Sequence, residues 1–219
     1  MGRNPRRLRS QITNQQSLNL IKMSEKSLIS THNSATGNKG YGLLSKLLTP
    51  FAKCQNKTLT EQYEAGCRYF DIRVSKDSRG YITAHGPWRG GTLHDVLTEI
   101  RKACDDGNEP AYLSVTWEGG VSDWSESKVK YFVEIVQNFV NCLNDAERKY
   151  LILTQIGAKK PYGTILWVNY EIDRPVVVQR FYPLYWFNWR VLFPVPRFWA
   201  WRYGKVEFND KHYTQVDFL

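Results

Sequence analysis

The chain has 219 residues, 42% of them hydrophobic and 14% aromatic, which is enough material for one well-buried domain and excludes a wholly disordered chain. Mean hydropathy is −0.49, and no uncharged apolar run approaches the ~18 residues of a membrane-spanning helix. The net charge of +9 is uneven: residues 1–26 hold Arg3, Arg6, Arg7, Arg9, Lys22 and Lys26 against Glu25 alone.

Residues 1–23 read as a basic, flexible arm and residues 24–219 as a single folded domain. The arm is either a solvated tail or an attractor of polyanions such as phosphate headgroups. No apolar segment follows its arginines, and Arg6 stands where a myristoylation signal on Gly2 would want Ser or Thr, so neither export nor a lipid anchor is expected. Cys54, Cys67, Cys104 and Cys142 form no CxxC pair, which points to free thiols in a reducing compartment rather than a zinc site or a disulfide scaffold. Localisation is therefore expected to be cytoplasmic or peripheral to a membrane.

In chain order, short apolar or β-branched runs predict strands at 27–31, 68–74, 81–84, 111–117, 150–154, 164–170, 175–180 and 213–218. Helices fit 59–65, stopped by Gly66, then 94–104 behind the cap Thr92, and 126–143 behind Ser125. In the last of these Val129, Phe132, Val133, Val136, Phe139 and Val140 keep helical spacing. Eight strands with interleaved helices predict an α/β protein, a distorted and compact (β/α)8 TIM barrel whose terminal strand closes it.

Residues 181–203 form an island of eleven aromatics, three prolines and three arginines with no acid. It is either a loop that plugs one barrel end or a lip that inserts rings into a bilayer interface while Arg190, Arg197 and Arg202 meet lipid phosphates.

In the strand Tyr69-Phe70-Asp71-Ile72-Arg73-Val74, period-two geometry sends Tyr69, Asp71 and Arg73 to one face and the apolar residues to the other. A carboxylate and a guanidinium so placed are either a structural ion pair or part of a site. His32 and His85 each follow a predicted strand, where parallel barrels build active sites. Two imidazoles can divide proton work near neutrality, one accepting a proton from an attacking hydroxyl and the other protonating a leaving alkoxide. Arg73 between them would neutralise a phosphodiester without a metal ion. His94, in the first turn of a helix, and His212, in a charged turn, are expected to be structural surface residues.

The run Ser30-Thr31-His32-Asn33-Ser34, the junction Glu61–Arg73 and Ala84-His85-Gly86 resemble the X-domain of phosphatidylinositol-specific phospholipases C, densely across 27–118 and again at Gln215-Val216-Asp217-Phe218. The resemblance implies a TIM barrel that cleaves a phosphoinositide by internal attack of the inositol 2-hydroxyl, releasing diacylglycerol and a cyclic inositol phosphate. It implies His32 as general base, His85 as general acid, Asp217 as the carboxylate orienting the first histidine and Asp71 as support for the arginine. Arg73 matches the metal-independent bacterial branch, so no cofactor or metal ion is expected. Glu118 resembles a glutamate that touches inositol hydroxyls, and Tyr182 a tyrosine that stacks on the ring.

Three positions depart from the bacterial pattern. Asn33 replaces an aspartate that assists the acid histidine, Thr116 replaces a lysine, and Arg180 replaces an aspartate, in a manner suited to an additional headgroup phosphate. These departures leave open an alternative, a weak or inactive phosphoinositide-binding module on the same fold. The partners implied are a phosphoinositide or related phospholipid and a membrane surface met through 181–203. A monomer is expected, and no nucleic-acid partner, since no recognised motif accompanies the basic charge.

Overall fold

The computed structural model describes residues 28–118, 126–159, 165–168, 176–180, 203–208, 211–216 and 219. The basic arm, most of the aromatic island, Asp217 and Tyr182 lie outside the described residues. The strands are β1 (Leu28–Thr31), β2 (Cys67–Asp77), β3 (Gly80–His85), β4 (Trp88–Thr92), β5 (Ala111–Trp117), β6 (Leu151–Lys159), β7 (Ile165–Val168), β8 (Val176–Arg180), β9 (Tyr203–Phe208) and β10 (Lys211–Val216). The α-helices are α1 (Gly42–Ala52), α2 (Leu59–Glu64), α3 (Leu93–Gly107) and α4 (Glu126–Leu143).

These strands form one mixed sheet in the order β7-β6-β5-β2-β1-β10-β9-β8, with β3 and β4 branching from β2. The central run β6-β5-β2-β1-β10 is parallel, and β7, β9, β8 and the β3–β4 hairpin pair antiparallel. The predicted α/β class holds. The predicted eight-stranded closure does not: among the described residues β7 and β8 stand at opposite ends of the ladder, and the sheet is not closed into a barrel.

Chain length explains much of the difference. A parallel neighbour requires a crossover of about a dozen residues or more. Only Ser78 and Arg79 separate β2 from β3, so the strand predicted at 81–84 must double back as a hairpin, with Gly80 at φ 96° completing the turn. β4 and β9 are strands that the sequence pattern missed.

The alternation predicted for β2 is present. Phe70, Ile72 and Val74 are fully buried in the main core with Leu113 and Val115 of β5. Leu93, Leu97 and Ile100 of α3 and Phe132, Val133 and Val136 of α4 cover that face. On the opposite face Tyr69 packs against Tyr213, with ring centroids 5.5 Å apart, and Asp71 and Arg73 follow it along the strand. The two sides of β2 thus serve different purposes, one as core and one as a polar interior.

The helix ends follow local chemistry. Thr58 and Glu61 form a reciprocal capping box at α2, and the predicted cap Thr92 accepts from the Asp95 amide at 3.1 Å to open α3. α1 was not predicted. It lacks a side-chain cap, holds Pro50 and carries its leucines outward: Leu43, Leu44 and Leu47 are 77%, 65% and 63% exposed, while Ser45 is buried and accepts from the Arg89 amide.

Before α1, the chain makes a 3₁₀ turn at Ser34–Gly37, where Gly37 packs directly against the Lys57 carbonyl. A Cβ there would overlap that backbone oxygen, so Gly37→Ala is expected to lower the unfolding free energy by about 1–3 kcal/mol in urea titration.

Candidate active site

β1 ends at Thr31, and the next two residues turn sharply. Asn33 takes the left-handed conformation, φ 47° and ψ 49°, which asparagine tolerates better than most residues. Its carbonyl accepts from the Thr36 amide at 2.9 Å and hydroxyl at 2.7 Å. Ser34 locks the turn to β2: its hydroxyl donates to the Thr31 carbonyl and accepts from the Asp71 amide, both at 2.9 Å. The Ser-Thr-His-Asn-Ser run is therefore a joint that holds His32 beside the middle of β2.

Asp71 is the hub of the site. Its Oδ1 and Oδ2 accept from Arg73 Nε at 2.9 and 3.1 Å, its Oδ2 accepts from the Asn33 amide at 3.3 Å, and His32 Nε2 lies 3.9 Å away. His32, Asp71 and Arg73 are all buried. Burial alone would lower the Arg73 pKa, but attraction to the Asp71 carboxylate and its hydrogen bond outweigh that cost, and Glu118 adds to them. The net shift is upward, so Arg73 keeps its charge. Its terminal Nη amino groups have no hydrogen-bond partner among the described residues, although Arg73 is only 8% exposed.

His85 reaches the same cluster from β3. β3 doubles back antiparallel along the end of β2, and His85 at its end adjoins the cluster through Cys54, whose sulfur also meets the Asn33 side chain. The sequence places His85 at a strand's C-terminal end, as expected, but on an antiparallel strand that returns toward β2. His85 Nδ1 lies 2.6 Å from the Ala52 carbonyl at the end of α1 and 3.7 Å from Cys54 Sγ. A carbonyl only accepts, so Nδ1 carries the proton and Nε2 is the nitrogen left to exchange one.

Asn33 does not hydrogen-bond His85 directly. Its Nδ2 donates to Cys54 Sγ at 3.5 Å, so amide and imidazole meet through the sulfur, and Asn33 Oδ1 is buried without a partner among the described residues. Glu118 leaves the end of β5, its amide donating to the Val74 carbonyl at 2.7 Å and its Oε1 accepting from the Gly86 amide at 3.1 Å. Thr116 is buried beside Arg73 in the β2–β5 register.

Of the predicted site residues, His32, Asn33, Asp71 and Arg73 meet directly, while His85 joins them through Cys54 and Glu118 is tied to the residue after His85 through the Gly86 amide. Arg180 ends β8, separated from β1 by β9 and β10 in the sheet order. His94 is exposed on the first turn of α3, edge-on to Phe139.

Sequence reasoning missed Ala52, Cys54 and Gln55. Gln55 is fully buried; its Nε2 donates to the His32 and Val216 carbonyls at 2.8 and 2.9 Å, and its Oε1 accepts from the Leu219 amide at 3.2 Å. One amide therefore ties the His32 turn to the end of β10, on either side of Asp217. No periodicity or motif marks this residue. None of the four cysteines is in a disulfide, and burial raises the Cys67 and Cys104 thiols to about 12. Among the described residues no cluster of His, Cys, Asp or Glu has metal-binding geometry.

No family model and no curated protein sequence matches the chain. Among solved structures it is similar to the phosphatidylinositol-specific phospholipase C of Listeria monocytogenes, at 21% identity and TM-score 0.43, covering 64% of this chain and 56% of that one. It is also similar to forms of the Staphylococcus aureus phosphatidylinositol-specific phospholipase C. A pentafluorophenylalanine-containing form has 16% identity and TM-score 0.43, covering 67% and 51% of the respective chains. Another variant has 18% identity and TM-score 0.44, covering 67% and 52%. The chain spans about half the length of these proteins.

Gln55→Leu removes the donor to two carbonyls at once. It is expected to cost about 2–4 kcal/mol of stability by denaturant titration, whereas a surface change such as Lys76→Gln stays within about 0.5 kcal/mol.

Proposed function

We propose that the chain is a phosphodiesterase of the phosphatidylinositol-specific phospholipase C type. The observation that carries the reading is Arg73: a buried guanidinium, held through Nε by Asp71, with its Nη groups unspent and histidines at the ends of β1 and β3, the two strands that follow one another along the same edge of β2. A monoanionic phosphodiester supplies the acceptors those groups lack, and a planar fork suits its two non-bridging oxygens. His32 takes the proton of the inositol 2-hydroxyl, whose oxygen attacks phosphorus. The bond to the glycerol oxygen breaks, and His85 gives that oxygen the proton from Nε2. Diacylglycerol leaves and a cyclic inositol phosphate remains. Arg73 opposes the charge that grows on phosphorus oxygens in the transition state, the task that a divalent ion performs in other phosphodiesterases.

Glu118 is assigned to the inositol hydroxyls. Arg180 and Tyr182 remain proposed headgroup contacts, and Asp217 the proposed carboxylate partner of His32. A second reading, a phosphoinositide-binding module without turnover, draws support from Asn33, whose amide does not touch the acid histidine.

No helix among the described residues is long and apolar enough to cross a membrane. Contact with lipid is proposed to fall on α1, in addition to segment 181–203. Its exposed Leu43, Leu44 and Leu47 lie beside Lys39, Lys46 and Lys53, which line a hollow of about 330 Å³, a combination suited to an anionic bilayer surface.

Inositol phosphate release from phosphatidylinositol vesicles is expected to persist in EDTA and to fall about 10²–10⁴-fold in His32→Ala and His85→Ala. Arg73→Lys keeps the charge and loses the fork, and is expected to lower kcat by about 10²-fold. A requirement for calcium would remove Arg73 from its assigned role, and vesicle binding without product would leave the binding module. Leu43→Ser with Leu47→Ser should weaken sedimentation with anionic vesicles by about tenfold or more while leaving the thermal midpoint within a few degrees.

A further inference from the structure

We infer that Cys54 is a positioning residue for the acid histidine, filling with sulfur the place of a carboxylate. The inference rests on the assignment of His85 as general acid and adds a residue to it. The sulfur lies 3.7 Å from His85 Nδ1 and receives the Asn33 side-chain N–H at 3.5 Å. It is itself fixed, because the Cys54 amide donates to Thr36 Oγ1 at 2.9 Å within the turn that carries His32 and Asn33. Cys54 is fully buried, so these contacts are made away from bulk water.

Asn33 can donate to the sulfur but cannot place a negative charge beside the imidazole. The sulfur lone pairs can, together with the Ala52 carbonyl, accept the Nδ1–H of a protonated ring. Both acceptors favour the imidazolium over the neutral imidazole, and both hold the ring so that Nε2 faces away from them toward the leaving oxygen. The other charged groups around His85 work in both directions. Arg73 on β2 lies within electrostatic reach of Cys54 and opposes a second cation nearby. Arg89 donates to the Gly86 carbonyl and has the same sign, whereas Glu118, bound to the Gly86 amide, favours the imidazolium. Among these charges of both signs, the Ala52 carbonyl and the Cys54 sulfur are acceptors that Nδ1 meets directly.

The test compares Cys54→Ala with Cys54→Ser, whose hydroxyl retains lone pairs, and with Cys54→Val, which fills the cavity without them. The His85 Cε1–H resonance, titrated in the absence of substrate, is expected to shift its midpoint down by about half a pH unit or more in the Ala and Val variants and by less in Ser. The basic limb of kcat/KM for phosphatidylinositol should move down with it, because the acid must be protonated to act. Cleavage of phosphatidylinositol should fall about threefold or more at pH 7.5 in the Ala and Val variants. An aryl inositol phosphodiester, whose phenolate leaves without a proton, should be cleaved within about twofold of the parent rate. An unchanged His85 midpoint in both Ala and Val, or equal loss on both substrates, would overturn the role of Cys54. If the parent protein turns over neither substrate, the proposed reaction fails, and the substrate-free titration still decides whether Cys54 governs His85.

Discussion

The bond between Arg73 Nε and the Asp71 carboxylate organises everything around it. Two opposite charges buried two residues apart on one face of a strand are costly to desolvate, and each is tolerable only while the other is present. Asp71 is held from below by the Asn33 amide and positioned through its own amide by Ser34, so the turn after β1 is built to support a carboxylate on β2. That turn also places His32. The position of the first imidazole and the hold on the Asp71 carboxylate therefore come from the same few hydrogen bonds. A purely structural pair would be expected to spend the remaining guanidinium donors on protein acceptors. Here the terminal nitrogens have none among the described residues.

Much of this was legible before any coordinates. Period two in Tyr69–Val74 assigns the faces of β2 without knowledge of its neighbours, because the strand is flanked by residues that can only be core on one side. Thr92 and Gly66 mark helix ends by chemistry that acts within a few residues. The topology was harder to read. A strand at 81–84 looks the same in sequence whether it runs parallel or antiparallel to β2, and only the two-residue link decides it. α1 escaped notice for another reason: its leucines follow helical spacing but point outward, and a hydrophobic pattern read as a core face leads away from the helix that the chain makes there. The side chains that brace the histidines were invisible because Gln55 and Cys54 act over long sequence separations, through single hydrogen bonds that leave no periodic trace.

The connection between β1 and β2 then acquires a meaning that its sequence does not advertise. Within four residues it supplies the Ala52 carbonyl and Cys54 sulfur to His85 and the Gln55 amide to the backbone of His32. The two imidazoles stand on strands that run in opposite directions, β1 and β3, and neither strand alone can set the distance between them. A single short segment that grips both can do so, since any displacement of it is shared by both rings. The same segment is the C-terminal continuation of α1, whose outer face carries the exposed leucines. Ala52, whose carbonyl meets His85, is the last residue of that helix. The backbone that braces both imidazoles is thus continuous with the helix that exposes the leucines, so the proposed proton transfer and the proposed surface contact share one short stretch of chain.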